Sequence, residues 1–291
     1  MKWWLLVLLV LAGCSEVQQI VETPADLSAD EPTTIKIAML DIGQGQAILI
    51  FFPDKTVLYD GGPRGSLRPY LNQFNVTTLD LAIASNKDAD HFAGLIQGFD
   101  DVNVLTYAEP DVPCTTKTCT EVDAKADGEG SERPNLVDGD VLTIDGVTLE
   151  VLNPKDPLAF TGDNENSIML KLTYRDFTAL FPGDCQYKCE SAVVTEYGDH
   201  LRSDLYIAGH HGSKTSSSSA FIDAIQPKAA LVSVGANNQY HLPSPEVIDR
   251  LDAATEGNVY RTDQHGTLIV ETDGSAFKIA DQNGILLWEK A

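Results

Sequence analysis

Basic residues are scarce in this chain: 20 Lys and Arg stand against 43 Asp and Glu, for a formal net charge of −23. A surface with that balance repels polyanions over much of its area, which excludes nucleic-acid binding through a broad basic stripe. Any local attraction has to come from the few cations placed near a cleft by sequence position, namely Arg64, Arg68, Lys87, Lys214 and Arg261. Such an acidic surface also suits high salt, where it aids solubility and long-range repulsion is screened. Long apolar runs are missing too. The stretch Trp3 to Leu11 falls well short of the ~20 residues that a membrane-spanning helix requires. Internal repeats are absent, which excludes a solenoid or propeller. What remains is 43% hydrophobic content in 291 residues, enough for one full core.

The first 33 residues read as export and tethering. Lys2 precedes the apolar stretch, and Leu11-Ala12-Gly13-Cys14 resembles the box cut by the bacterial lipoprotein signal peptidase. That resemblance implies a signal peptide over residues 1–13, lipidation of Cys14, and a protein held at the cell envelope on the exported side of the membrane. Losing Lys2 with the leader removes one positive charge and takes the net charge from −23 to −24. Residues 14–33 are acidic, contain Pro, Ser and Thr, and show no apolar period, so they read as a flexible tether. Residues 34–291 then form a single domain.

Three clusters of ligand-type residues follow three apolar runs. Asp88, Asp90 and His91 come after Leu79 to Ala84, Asp184 comes after Phe177 to Phe181, and His210-His211 come after Leu205 to Ala208. Each run reads as a buried strand and each cluster as a strand-end loop, with a helix expected from Gly94 onward. Loops at one edge of stacked sheets can converge on one cleft, where a divalent cation relieves the repulsion between carboxylates. Strands are also expected at Ile35 to Leu40, Ala47 to Phe52, Val57 to Tyr59, Val141 to Leu152 and Ile168 to Tyr174. A helix is expected at Glu246 to Ala254, and the polar stretch Glu109 to Pro134 reads as an irregular surface insertion.

The ordered motifs resemble a known family. Asp41-Ile-Gly-Gln-Gly-Gln-Ala-Ile-Leu-Ile50, Tyr59-Asp-Gly-Gly62, Asp88-Ala-Asp-His91, Asn166-Ser167, Phe181-Pro-Gly-Asp184, Gly209-His-His-Gly-Ser213, Ser233-Val-Gly-Ala-Asn-Asn238 and Tyr260-Arg-Thr-Asp263 occur in that sequence. Together they look like the metallo-β-lactamase-fold domain at the end of ComEC-type DNA-uptake proteins. The resemblance implies an α/β (α+β) fold, a four-layer αββα sandwich, and a metal-dependent hydrolase. The expected substrate is an anion such as a phosphodiester or nucleic acid. Other esters, thioesters or lactams, or a degenerate non-catalytic binding module, are the alternatives, because this fold carries many reactions.

Carried over residue by residue, the resemblance makes Asp88, Asp90, His91, Asp184 and His210 or His211 metal ligands, with Asp90 also a water-orienting base. Whichever of His210 and His211 does not ligate stabilises charge or protonates a leaving group. The chain departs from the family at Asn86, where a leading histidine is usual, and offers Asn164 and Asn166 where many relatives carry another. His241 is displaced by one position within Tyr240-His-Leu-Pro243. A mixed nitrogen and oxygen set suits Zn²⁺ or Mn²⁺, whereas asparagine amides are neutral and poor ligands. One firm metal position and a weak or absent second are therefore expected. Ser213, Lys214 and Thr215 add donors for an anionic substrate, although the serine run there reads equally as a helix N-cap. No protein partner is evident.

Outside the leader, Cys114, Cys119, Cys185 and Cys189 make an even set, and export favours disulfides over zinc. Local pairs 114–119 and 185–189 are the first expectation. A cross-link between the Glu109 to Pro134 segment and the helix after Asp184 is the second, and a four-cysteine zinc site the third.

Overall fold

The structure, a computed structural model, describes residues 34–290. The leader, Cys14 and the tether lie outside the described residues. Two large sheets face each other. The first has eight strands in the spatial order Leu286–Lys290, Phe277–Asp281, Leu268–Thr272, Ile35–Met39, Ala47–Phe51, Thr56–Gly61, Leu81–Ile83 and Tyr107–Ala108. The second has seven, Val259–Arg261, Ala229–Val232, Leu205–Ile207, Phe177–Phe181, Met169–Tyr174, Val147–Asn153 and Val141–Ile144.

Alternation along each strand sorts side chains between layers. Ile35, Ile37, Met39, Ile48 and Ile50 point into the core between the sheets, which they share with Leu149, Val151, Leu170 and Leu172 of the second sheet. The intervening Ala38, Ala47 and Leu49 point the other way, onto Leu71, Phe92, Leu95 and Val122 of helices Arg68–Gln73, Ala89–Phe92, Leu95–Asp101 and Lys117–Glu129. Leu180, Tyr206 and Val232 of the second sheet likewise pack on Val193, Phe221 and Leu251 of helices Tyr187–Tyr197, Ser219–Ile225 and Pro245–Thr255. The layers therefore run αββα, and each fully buried aliphatic side chain contributes about 1.5–3 kcal/mol. The sheets are also pinned by a polar bond: Tyr59 Oη donates to the Ile168 carbonyl at 2.7 Å, one residue before Asp60 at the strand end.

Two expectations need correction. Val141 to Leu152 is a hairpin rather than one strand, because Asp145 and Gly146 both take positive φ (48° and 77°) and close a two-residue turn. Glu109 to Pro134 is not irregular throughout. It contains the helix Lys117–Glu129, capped by Thr116 Oγ1, which accepts Cys119 N–H at 3.1 Å, and it buries Cys119, Val122 and Ala126 at helical spacing. The helix expected from Gly94 onward is Leu95–Asp101, with Gly94 at its N-cap, and a separate short helix, Ala89–Phe92, precedes it and carries Asp90 and His91. Gly94 also marks a close crossing. A Cβ there would stand 1.8 Å from the Gly61 carbonyl oxygen, so any side chain would push this segment off the Asp60 strand end. The structure pairs Cys114 with Cys119 and Cys185 with Cys189, each with Cα atoms 5.6 Å apart.

Candidate metal centre

The ligand-type clusters meet at one edge of the sandwich, in a cleft of about 340 Å³ lined by Asp88, Asp90, Asp184, His210 and His211 together with Gln44, Tyr240 and Leu242. Asp90, His91 and His211 each aim one ligand atom at a common point, with those atoms within 4.8 Å of one another.

Both imidazoles are oriented from behind. His91 is fully buried, and its Nδ1 lies 2.8 Å from Asp60 Oδ2. The Nδ1 of His211 lies 3.0 Å from the Ser233 carbonyl oxygen. A carboxylate and a carbonyl only accept, so each Nδ1 carries the proton and each Nε2 presents a lone pair. Those two Nε2 atoms stand 3.1 Å apart. Asp184 Oδ1 lies 3.1 Å from His91 Nε2 and 3.9 Å from His211 Nε2, is buried, and has no hydrogen-bond partner among the described residues. Asp90 Oδ2 is 3.3 Å from His211 Nε2. Four electron-pair donors thus face one another, an arrangement that repels itself unless a cation or a proton sits between them. The residues present fit a divalent cation.

The electrostatics agree with that geometry. Burial opposes charging His91, but the carboxylates of Asp184 and Asp60 outweigh it and raise its pKa well above the usual imidazole value. Burial likewise pushes the Asp184 carboxyl up, yet His91 and His211 hold it below the usual carboxylate range. Desolvation raises Asp90 too, and the His211 hydrogen bond overcomes it, leaving Asp90 ionised at neutral pH. His210 behaves differently. Burial lowers its pKa, its Nε2 stands 3.7 Å from Asp184 Oδ2, and its Nδ1 is 3.1 Å from Thr215 Oγ1. His210 and His211 both occupy left-handed backbone, at φ 50° and 55°. For non-glycine residues that conformation costs energy and commonly marks a functional turn.

The remaining sequence candidates are placed as follows. Asp88 stands at the rim, where partial desolvation and then the neighbouring Asp184 and Asp90 raise its pKa. Asn86 is buried but does not line the cleft. Its Oδ1 accepts Asp88 N–H at 2.9 Å, so the amide shapes the loop instead of offering a ligand. Asn166 donates through Nδ2 to the Phe160 and Gly162 carbonyls, and its Oδ1 is buried without a partner among the described residues. His241 is exposed and does not line the cleft. Asp60 is a functional residue that sequence reasoning misses, although it lies inside the Tyr59 to Gly62 motif; its signal is a buried acid at the end of an apolar strand, accepting from Gln46 Nε2 and Ser85 N–H. Of the five cations expected nearby, Arg64, Arg68, Lys87 and Arg261 pair with Glu121, Asp101, Glu109 and Asp263. Among the described residues, no Lys or Arg lines the cleft.

Comparison with known proteins places this arrangement. Residues 40–236 match the family described as the metallo-beta-lactamase superfamily. The chain is 29% identical over 254 residues to ComE operon protein 3 of Bacillus subtilis, covering 80% of this chain and 32% of that protein. It is 30% identical over 242 residues to the competence protein ComA of Neisseria gonorrhoeae, covering 81% and 31%. The chain thus spans about a third of the length of these curated relatives. Among solved structures, the metallo-beta-lactamase fold protein YhfI from Bacillus subtilis superimposes with a TM-score of 0.54 at 14% identity, covering 82% of this chain and all of that one. Its sequence, its sandwich and its convergent Asp and His loops make this chain a member of the metallo-β-lactamase superfamily.

Proposed function

We propose that this protein is a divalent-metal-dependent hydrolase of phosphodiesters. The observation that carries the reading is the set of facing electron-pair donors on His91, His211, Asp90 and Asp184. These four would hold the cation, with Asp60 and Ser233 fixing the two imidazoles. The mixed donor set suits Mn²⁺ or Zn²⁺, with one firm position, and the oxygen-rich rim around Asp88 favours Mn²⁺ for activity. A divalent cation there supplies Lewis-acid stabilisation and water activation near neutral pH. Ionised Asp90 orients the attacking water and receives its proton, while His210, on the cleft wall, donates to the oxygen that gains charge as the bond breaks. The competence proteins among the relatives support a nucleic-acid substrate.

A second reading has its own observation. The cleft is lined by acids without a Lys or Arg among the described residues, which favours a less anionic ester over an extended polyanion. Turnover of bis-p-nitrophenyl phosphate, single-stranded DNA and p-nitrophenyl acetate, with Mn²⁺ and with Zn²⁺, separates the two. The proposal requires cleavage of the phosphodiesters, faster with Mn²⁺; cleavage of the acetate alone would replace it. We also propose lipidation at Cys14 and attachment to the envelope through that lipid.

A further inference from the structure

We propose that the mouth of the cleft is a subsite for a planar ring bearing a carbonyl acceptor, as in a nucleobase, formed by the face of Tyr240 and the side-chain amide of Gln44. The proposal deepens the phosphodiesterase reading and rests on it for the placement of the phosphate.

Two independent observations support it. Tyr240 lines the cleft and is 60% exposed, more than Tyr187, the other tyrosine among the exposed large hydrophobic residues. Its ring makes no aromatic contact and its hydroxyl no hydrogen bond among the described residues. Yet the loop beneath it is held by hydrogen bonds. Asn238 Oδ1 accepts the N–H groups of Tyr240 and Leu242 at 3.1 and 3.0 Å, and its Nδ2 donates to the Gly235 and Leu242 carbonyls at 2.9 and 2.7 Å. An exposed aromatic ring on a fixed loop is a stacking platform whose ordering entropy has already been spent.

Gln44 supplies the second observation. Its Oε1 accepts Gly235 N–H at 3.3 Å, which settles which end of the amide is oxygen, and its Nε2 is buried without a partner among the described residues. An unsatisfied buried donor is costly, and because Gln44 lines the cleft, a turn of its side chain would carry the amide N–H to a ring carbonyl there. The loop that carries Gln44 is held on both sides. Ser233 Oγ donates to the Gly45 carbonyl at 2.8 Å, and Gln46 N–H donates to the Asp90 carbonyl at 3.0 Å. Gly235 has to be glycine for this contact, since a Cβ there would stand 2.5 Å from Gln44 N. The same segments therefore place Tyr240, Gln44 and the His211 support, Ser233, as one unit. With no Lys or Arg on the described lining, any preference for a nucleotide over a bare phosphate has to come from its ring.

Binding of thymidine 5′-monophosphate and of methyl phosphate to the Mn²⁺-loaded full chain, measured by calorimetry, tests this. The parent should bind thymidine 5′-monophosphate the more tightly. Tyr240→Ala should weaken it about tenfold, in line with a stacking contact, and leave methyl phosphate unchanged, while Tyr240→Trp should retain it. Gln44→Glu keeps the acceptor for Gly235 and loses the donor, so it should cost thymidine 5′-monophosphate more than methyl phosphate. A parent that does not prefer thymidine 5′-monophosphate, or a Tyr240→Ala variant that binds both ligands as the parent does or loses both alike, overturns the subsite. Turnover of thymidine 5′-p-nitrophenyl phosphate is read separately. Selective binding without turnover ends the hydrolase reading and keeps the subsite.

Discussion

Replacing Asp60 by Asn probes the support of the centre without touching a ligand. Asp60 Oδ2 accepts from His91 Nδ1, Gln46 Nε2 and Ser85 Oγ at 2.8, 2.9 and 2.9 Å, and Oδ1 accepts Ser85 N–H at 2.6 Å. Asn can keep its oxygen on Ser85 N–H only by turning its NH₂ toward the other three. The Ser85 hydroxyl can rotate to accept. Neither Gln46 Nε2 nor His91 Nδ1–H then faces an acceptor, and at about 1–3 kcal/mol for each buried donor left unpaired the fold loses roughly 2–6 kcal/mol. His91 can escape by moving its proton to Nε2, which removes the lone pair that faces His211 and Asp184. Metal affinity should then fall about 10–100 fold, the usual effect of losing a group that orients a ligand. Chelator competition with Mn²⁺ and thermal denaturation of the metal-free protein read the two effects. An Asp60→Asn variant that holds Mn²⁺ as tightly as the parent and melts at the same temperature would refute the orienting role.

Further outcomes follow from other parts of the structure. Asp184→Ala should lose bound metal, while Asp90→Ala should keep part of it and turn over about 10²–10⁴ fold more slowly; equal rates for parent and both variants in a bis-p-nitrophenyl phosphate assay contradict this. Burial raises the Asp204 carboxyl, but Lys228 and the Thr178 N–H hold it below its ordinary value. Its contribution to stability is therefore present above the unfolded carboxylate pKa and lost as pH falls through the lower folded value, so Asp204→Asn should flatten the acid limb of a melting-temperature against pH curve. Cys14→Ala should remain uncleaved by the lipoprotein peptidase and keep its leader, and mass spectrometry of the parent finding an unmodified N-terminus beyond residue 14 would sink the lipidation proposal.

The legible parts of the site share a cause. Asp88, Asp90, His91, Asp184 and the His210-His211 pair each follow a short apolar run, and a strand end is where a side chain can leave the core for a cleft. The supporting contacts lack such a signal. Asp60 and Ser233 reach the imidazoles from 31 and 22 residues away in the chain, and nothing local announces those bonds. Asn86 reads as a ligand because it occupies a ligand position, whereas its amide closes a turn onto Asp88 N–H. The helix Lys117–Glu129 is hidden by a narrow apolar face of Cys119, Val122 and Ala126 among polar residues. The apparent cleft cations are cancelled by carboxylates distant in sequence, as with Arg64 and Glu121.

Metal content decides whether these facing donors form a working centre. Elemental analysis of the purified full chain, dialysed against metal-free buffer after loading with Mn²⁺, should find about one tightly held divalent ion per chain, lost in the Asp184→Ala variant. A parent that retains no divalent metal under these conditions contradicts a cation site built on His91, His211, Asp90 and Asp184.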